Sequence, residues 1–313
     1  MRLFTLTLIS TLGAAYPLSR PRPLTRRVAI GAAVCGPQIL SPLRSWAAVL
    51  EAPASPLCDE DVSVLTTAAG KQIVIVGTAH TSEESSNLVR SVIQQVSPDT
   101  VMVELDRRRA NSLMRKARAR KSGEVMAVNP SVAPQTRGEA LYQELDKMGF
   151  PAGGEFMAAI EEARALNATI LLGDRDINVT MQRLQEAQVE VKRLRAEGFL
   201  SREDAIAAAS ALPSSLKRGG GTLTPEGVVE MTTDLRRREN AKLVAAYLKR
   251  TQPPVYDAML GERDRIMAHA LRDAPGRKVV GVVGLSHLEG IERILGEEIA
   301  ARPAAPACAS SSS

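Results

Sequence analysis

Cysteine, histidine and aromatic side chains are all scarce in this sequence. The 313 residues include three cysteines, and aromatic residues make up 3%. None of the cysteines belongs to a CxxC pair, which argues against a disulfide framework or a cysteine zinc site. The three histidines are His80, His269 and His287, so any imidazole chemistry must use these positions.

Charge of one sign is missing from the beginning of the chain. Of the 40 lysines and arginines, six arginines lie in residues 1–50, which contain no acidic residue. The other 34 basic residues face 35 acidic ones, so the net charge of +5 reflects the N-terminus. Nucleic-acid binding needs basic residues concentrated on the folded domain, and we therefore expect no nucleic-acid partner.

Residues 1–50 have the composition of a bipartite targeting leader. A short apolar run over residues 3–15 is typical of a secretory signal peptide. Arg- and Pro-rich sequence follows, and then Arg26-Arg27 precedes a second apolar run, as in a twin-arginine (Tat-type) export signal. We predict delivery to the plastid of a complex-plastid alga, either to its thylakoid lumen or to its stroma, with secretion as the alternative.

Long hydrophobic runs are absent after the leader, so we expect a soluble mature protein without a transmembrane span. Short apolar runs instead predict four buried strands, over residues 71–77, 100–105, 168–173 and 278–284. Val62–Thr67 is predicted to form a hairpin with the first of them. Helical patterns separate these strands. The fold class predicted is α/β, with a central, mostly buried sheet flanked by helices.

Two helix starts can be placed in this pattern. Thr81 and Glu84 match a capping box, and Asp106 is placed to cap a basic helix over residues 107–120. Residues 118–138 are expected to form a surface loop.

The charged stretch over residues 177–274 is helical in pattern, and we expect a helical subdomain inserted before the last strand. The α/β domain then consists of residues 51–176 and 275–300. The Ala-, Pro- and Ser-rich residues 301–313 predict a disordered tail. The sequence leaves the oligomeric state open.

Two of the predicted strands end in the same pattern, Gly-x-x-His. Gly77 precedes His80, and Gly284 precedes His287. Glycine allows a sharp turn at the carboxyl end of a strand, where open α/β sheets bind ligands. The alternative is that both histidines only pack or cap.

Glu104 ends a third strand, and a carboxylate is costly to bury without a partner. Two imidazoles and a carboxylate at one sheet edge predict a site for Mn, Co, Fe or Zn with open coordination positions. The alternative for Glu104 is an ion pair with Arg107 or Arg108.

Other charged residues also fall at the ends of predicted elements. Asp174 and Arg175 follow the fourth strand and indicate either a salt-bridged corner or part of a site. Glu155 begins a helix, where an acidic residue is also stabilising without any catalytic role. His269 is expected to pack or to face solvent.

The order of these motifs resembles that of the TraB family, the PrgY-like pheromone-shutdown proteins. The resemblance covers about residues 62–298. It is carried by Gly77-Thr-Ala-His80, Val103-Glu104-Leu105-Asp106, Gly154-Glu155-Phe156, Asp174-Arg175-Asp176, Glu262-Arg263-Asp264 and Val282-Val-Gly284 with His287. Two departures are the absence of C-terminal membrane spans and the residues Leu285-Ser286, where small residues are usual.

The resemblance implies a superfamily that includes TIKI proteases, erythromycin esterases and ChaN-like haem-binding proteins. It implies a metal-dependent hydrolase, in particular a peptidase, acting on a peptide or small molecule. A non-catalytic regulatory protein that binds a peptide or haem in the same pocket is the alternative. The roles implied are metal binding by His80, Glu104 and His287, catalysis by Glu155, Arg175 and Asp174, and substrate binding by Arg263 and Arg109.

Overall fold

The computed structural model describes residues 55–78, 83–122, 153–217, 233–235, 237–299 and 302–303. The predicted leader, the predicted loop from residue 123 onward and most of the predicted tail lie outside these ranges. Thr81 of the predicted capping box also lies outside them. The account below concerns the described residues.

One six-stranded sheet has the order β4-β3-β5-β2-β1-β6. The strands are β1 Val62–Thr66, β2 Gln72–Thr78, β3 Thr100–Val103, β4 Thr169–Leu172, β5 Lys278–Gly284 and β6 Arg302–Pro303. Strands β2, β5, β3 and β4 are parallel, whereas β1 is antiparallel to β2 and to β6. The four predicted strands and the hairpin are therefore confirmed, except that β4 is not buried as predicted, because it lies at the edge of the sheet.

Helices connect and cover these strands, which confirms the α/β class. They are α1 Glu83–Val96, α2 Arg107–Ser122, α3 Gly154–Ala165, α4 Ile177–Ala196, α5 Arg202–Ser210, α6 Ser214–Lys217, α7 Arg238–Thr251, α8 Pro253–Tyr256, α9 Glu262–Asp273 and α10 Leu285–Ile299. A π-helical turn, Asp257–Gly261, joins α8 to α9. None of the helices in the described ranges combines the length and apolar character that a membrane crossing requires.

The basic helix α2 begins where the sequence predicts. Oδ1 of Asp106 accepts the backbone N–H groups of Arg108 at 2.7 Å and Arg109 at 2.9 Å. The helix continues through residues 118–122, so the loop prediction is wrong for those five residues. Arginine, lysine and alanine are strong helix formers, and this local preference extends the helix.

The sheet is buried on both faces because α1 and α3 pack on one face and α9 and α10 on the other. The first face is filled by Val74, Val76, Val101, Val280, Val89, Ile93, Phe156 and Ile160. The second is filled by Ile73, Ile75, Met102, Val279, Met267, Leu271, Leu288 and Ile291. A Cβ at Gly281 in β5 would lie 2.8 Å from Leu271 Cδ2, so glycine permits α9 to approach the sheet closely.

The stretch predicted as a helical insert is helical between β4 and β5. It has a small core of its own, formed by Ala187, Val191, Val255 and Ala258. Its last helix, α9, belongs to the second face of the sheet. Its boundaries as a separate subdomain stay a prediction.

Two local expectations need correction. Cys58 takes part in a disulfide, so the low cysteine content does not exclude every such bond. Arg302 and Pro303, which the sequence assigns to a disordered tail, pair with Thr66 and Leu65 of β1 as strand β6. Backbone pairing with an open sheet edge orders these two residues despite their composition.

Candidate functional site

The site is built at the edge of the sheet where the parallel strands end. Glu104 follows β3 directly, and its backbone N–H donates to the carbonyl of Val282 in β5 at 3.0 Å. His287 lies in the first turn of α10, directly after β5. Both side chains are buried, with 5% of Glu104 and 2% of His287 exposed. The parallel pairing of β3 and β5 therefore brings residues together that are far apart in the sequence.

The carboxylate of Glu104 is held from two sides. Oε2 accepts the backbone N–H of Gly284 at 2.6 Å, and Oε1 forms a short ion pair with Nη2 of Arg263 in α9. The alternative considered for Glu104, an ion pair with Arg107 or Arg108, is therefore not formed, and Arg263 takes that place. Arg263 reaches Glu104 because α9 packs on the sheet, a contact that no local pattern reports.

Arg263 also binds Asp174, which follows β4. Its Nε donates to Oδ1 at 3.0 Å and its Nη2 to Oδ2 at 2.7 Å. Burial alone would lower the pKa of Arg263, but the charge of Glu104 and the hydrogen bonds to Asp174 outweigh it and raise the pKa. Arg263 is therefore a permanent cation between two buried carboxylates.

Arg109 completes this network from α2. Its Nη2 donates to the carbonyl oxygen of Glu104 at 2.9 Å and forms a short ion pair with Asp174. Its Nε donates to Oδ2 of the helix cap Asp106 at 3.0 Å. The structure thus brings four predicted site residues, Glu104, Asp174, Arg109 and Arg263, into one ion-pair network.

His287 lies between two carboxylates. Its Nδ1 is 2.6 Å from Oδ1 of Asp264 in α9, and its Nε2 is 3.5 Å from Oε1 of Glu104. Burial raises the pKa of Asp264, and the hydrogen bond with His287 partly opposes this effect. Asp264 is a site residue to which the sequence analysis gave no role, although it belongs to the quoted Glu262-Arg263-Asp264 motif.

The contact of Asp264 with α10 depends on a glycine. A Cβ at Gly290 would overlap Oδ2 of Asp264. Since Gly290 lies one helical turn after His287, it leaves room for the carboxylate beside the imidazole. The site thus requires a small residue at this position of α10.

Arg175 bonds to residues in and next to the π-helical turn. It forms a short ion pair with Glu262, and its Nη2 donates to the carbonyl of Ala258 at 2.7 Å. Glu262 also pairs with Arg183 at 2.6 Å, and this hydrogen bond lowers the pKa of Glu262. The salt-bridged corner expected as an alternative is therefore present at Arg175.

Glu155 lies on α3, and His269 lies on an exposed part of α9. Glu155 is buried in the first turn of α3, with 1% exposed. His269 is exposed and bonded to Glu298 at 2.9 Å, as expected for a surface histidine. His80 lies outside the described residues. Within the described ranges, no three histidine, cysteine or acidic side chains converge to hold a metal ion.

Comparison with known proteins identifies relatives over most of the chain. The model of the TraB/PrgY/gumN family matches residues 64–298. An uncharacterized protein of Methanocaldococcus jannaschii is 29% identical over 71% of this chain and 53% of its own length. TraB domain-containing proteins of Bos taurus and Homo sapiens are 29% and 28% identical over 76% of this chain. The match spans 66% of each mammalian protein, so part of every relative has no counterpart here.

Proposed function

Because this chain belongs to the TraB/PrgY/gumN family, we propose that it is a metal-dependent hydrolase that cleaves peptides. The observation that carries the proposal is the 3.5 Å approach of His287 Nε2 to Glu104 Oε1. When Nδ1 donates to Asp264, the lone pair of Nε2 faces a carboxylate oxygen. Such a pair is repulsive. A positive charge between the two atoms removes this repulsion, and either a proton on Nε2 or a bound divalent cation would supply it; we propose the cation.

The donor set fits a cation. Two ligands about 2.1 Å from a tetrahedral metal lie about 3.4 Å apart, close to the observed spacing of 3.5 Å. A carboxylate on the far nitrogen of a ligating histidine fixes the ring and raises its basicity, and Asp264 occupies that place. We propose that His80 supplies the third ligand beside Glu104 and His287.

A cation held there would polarise a carbonyl and lower the pKa of its bound water toward ~7. Arg263 and the N–H of Gly284 orient the carboxylate of Glu104. Asp264 orients the ring of His287. We assign proton transfer to Glu155, a buried acid at the start of α3. Direct catalytic roles for Asp174 and Arg175, and substrate contacts by Arg109 and Arg263, stay predictions.

One observation favours the alternative, a site that binds a peptide or haem without turnover. Arg263 already neutralises Glu104 through a short ion pair, so this carboxylate has a cationic partner without a metal. A site of this kind would hold its ligand through the remaining polar groups at the sheet edge.

Elemental analysis of the full chain separates the two functions. Wild type, His80→Ala/His287→Ala and the surface control His269→Ala are loaded with Mn, Co, Fe or Zn and then dialysed. We expect about one metal per chain in wild type and control and none in the double variant, together with loss of peptide hydrolysis. Circular dichroism shows that each variant is folded.

Wild type that retains no metal under any loading condition overturns the metal-dependent hydrolase. A Soret band on haem titration, lost in His80→Ala, would then establish the haem-binding alternative. Metal binding by the double variant equal to that of wild type would place the cation elsewhere.

We also propose that residues 1–50 direct the protein to a plastid, either to its thylakoid lumen or to its stroma. A fluorescent fusion of residues 1–60 tests the proposal. Accumulation in the plastid supports it, whereas a cytosolic signal ends both the plastid and the secretion hypotheses.

A further inference from the structure

The helix α2 carries a row of arginines that the ion-pair network does not use. The helix contains eight lysines and arginines and no acidic residue. Arg107, Arg115 and Arg118 are exposed, and none pairs with a carboxylate among the described residues. Surface arginines on other helices, such as Arg193 and Arg293, have acidic partners one turn away. Within the part of the chain that the structure describes, this helix therefore presents cations with no carboxylate partner.

These cations line a cavity of about 670 Å³. Its walls are formed by Arg107, Arg108, Asn111, Met114, Arg115, Arg118 and Asp176. Four arginines thus face one aspartate, and that aspartate already caps α4 by accepting the N–H of Asn178 at 2.7 Å. The cavity is consequently a cationic groove.

Placing arginines at the start of a helix opposes its dipole. Asp106 and Asp174 compensate Arg109, whereas Arg108 bonds only to the neutral amide of Asn178 at 3.1 Å. Arg107 has no described partner. A bound anion would remove this unfavourable charge, which supports a ligand of negative charge in the groove.

We propose that the groove binds an acidic segment of a peptide, as a subsite of the candidate site at Glu104. The same helix links the two regions, because Arg109 of α2 bonds to Glu104 and Asp174 while its neighbours Arg107 and Arg108 line the groove. Arg107 to Arg118 spans about 16 Å along the helix, the length of about five extended residues. Guanidinium groups bind carboxylates through paired hydrogen bonds, and a row of them matches successive Asp or Glu side chains.

Other polyanions fit less well. Among the described residues that line the groove, none is aromatic, so none offers a surface on which a nucleobase could stack. The large apolar side chains exposed in the described ranges, such as Val189 and Phe199, lie off α2, so the groove lacks the apolar anchors of a membrane-binding helix. The row of separated guanidinium groups favours several carboxylates over a single phosphate.

Binding to the groove is measured without turnover. A fluorescein-labelled peptide with about six glutamates is titrated into the full-length chain, beside the same peptide with glutamines. The test variant is Arg115→Glu/Arg118→Glu. The matched control, Lys192→Glu/Arg195→Glu, makes the same charge change at the same spacing on α4, where neither residue pairs with another described residue.

We expect the glutamate peptide to bind, with affinity reduced about tenfold in the groove variant and unchanged in the control. Raising the salt from about 50 to about 200 mM should weaken binding. Equal binding of the glutamine peptide, or equal affinity in both reversal variants, overturns the proposal. Tighter groove-dependent binding of single-stranded RNA or phosphatidylserine vesicles would replace the peptide by that ligand.

The acidic-peptide groove rests on the proposed hydrolase, since it names the substrate class of that enzyme. The binding test distinguishes failure of the groove from failure of the hydrolase. His80→Ala/His287→Ala should bind the glutamate peptide as wild type does. Peptide capture without metal or turnover would refute the hydrolase and leave the groove, whereas hydrolysis that is indifferent to Arg115 and Arg118 would refute the groove alone.

Discussion

The contact between Asp264 and His287 depends on the absence of a side chain at Gly290. A methyl group at Gly290 would overlap Oδ2 of Asp264. We predict that Gly290→Ala lowers the free energy of unfolding by about 1–3 kcal/mol, because a packed site must shift to admit the extra carbon. Urea denaturation measures the effect. Loss of peptide hydrolysis should accompany it.

The matched control on the same helix is Glu289→Ala, whose exposed ion pair with Lys242 contributes at most about 1 kcal/mol. Combining Gly290→Ala with Asp264→Ala gives a sharper comparison. The two losses should not add, since removing the carboxylate removes the overlap. Additive losses would show that Gly290 acts through another contact.

A second single-residue effect concerns Asp61, beside β1. Its Oδ1 is buried and accepts no hydrogen bond within the described chain. Burial, with the charges of Asp59 and Glu60, raises its pKa to about 6 against the attraction of Arg238. Between its ordinary pKa and this value, the folded state binds more protons than the unfolded state. Stability should therefore fall as pH rises from about 4 to about 6.

We predict that Asp61→Asn flattens this pH dependence and stabilises the protein at pH above about 7. The expected gain is about 1 kcal/mol after allowing for the exposed part of the side chain. Thermal unfolding across this pH range measures it. Glu203→Gln, an exposed change of the same charge on α5, should leave the profile unchanged. An unchanged slope in Asp61→Asn would assign the pH dependence to other carboxylates.

The sequence predicts which residues form the site better than it predicts which of them bond to each other. Glu104 and His287 were recognised because each follows a short apolar run and ends it with a polar group. The partner of Glu104, Arg263, lies 159 positions away on a helix. Its guanidinium arrives through the packing of α9 on the sheet, and sequence spacing contains no record of that packing.

At the scale of elements, the cap of α2 links helix stability to the site. Asp106 accepts two backbone N–H groups and holds Arg109. We predict that Asp106→Ala lowers the free energy of unfolding by about 1–2 kcal/mol, as the loss of a helix cap does. Asp106→Asn keeps an oxygen acceptor and should recover part of the loss in chemical denaturation. Equal losses in both variants would mean that the charge matters and the cap does not.

Strands that form one continuous apolar run are predicted well from the sequence. Strands β2, β3 and β5 are continuous apolar runs because both faces of the sheet are covered, and burial of this kind is visible in sequence. The end of α2 was misplaced because it depends on helix preference rather than on an apolar pattern. Strand β6 was missed because two residues in an Ala- and Pro-rich stretch carry no period of their own.

At the scale of the whole molecule, the core around the sheet has many more buried residues than the core of the helical stretch between β4 and β5. Strands β2, β3 and β5 are almost completely buried between helix layers. The core around Ala187 and Val255 has four buried residues. We predict that backbone amides of β2, β3 and β5 exchange with solvent most slowly and those of α4 and α5 much sooner. Hydrogen-exchange mass spectrometry measures this order, and protection of α5 equal to that of β5 would contradict it.

The place of β5 in the sheet also governs when the fold can close during synthesis. The ribosome delivers β1 to β4 and then the helices of residues 177–273 before Lys278–Gly284 emerges. Until then the β4-β3 pair has no connection to the β2-β1 pair, and Glu104 lacks the N–H of Gly284. The two strand pairs therefore join, and the surroundings of Glu104 are complete, only after Gly284 has been synthesised.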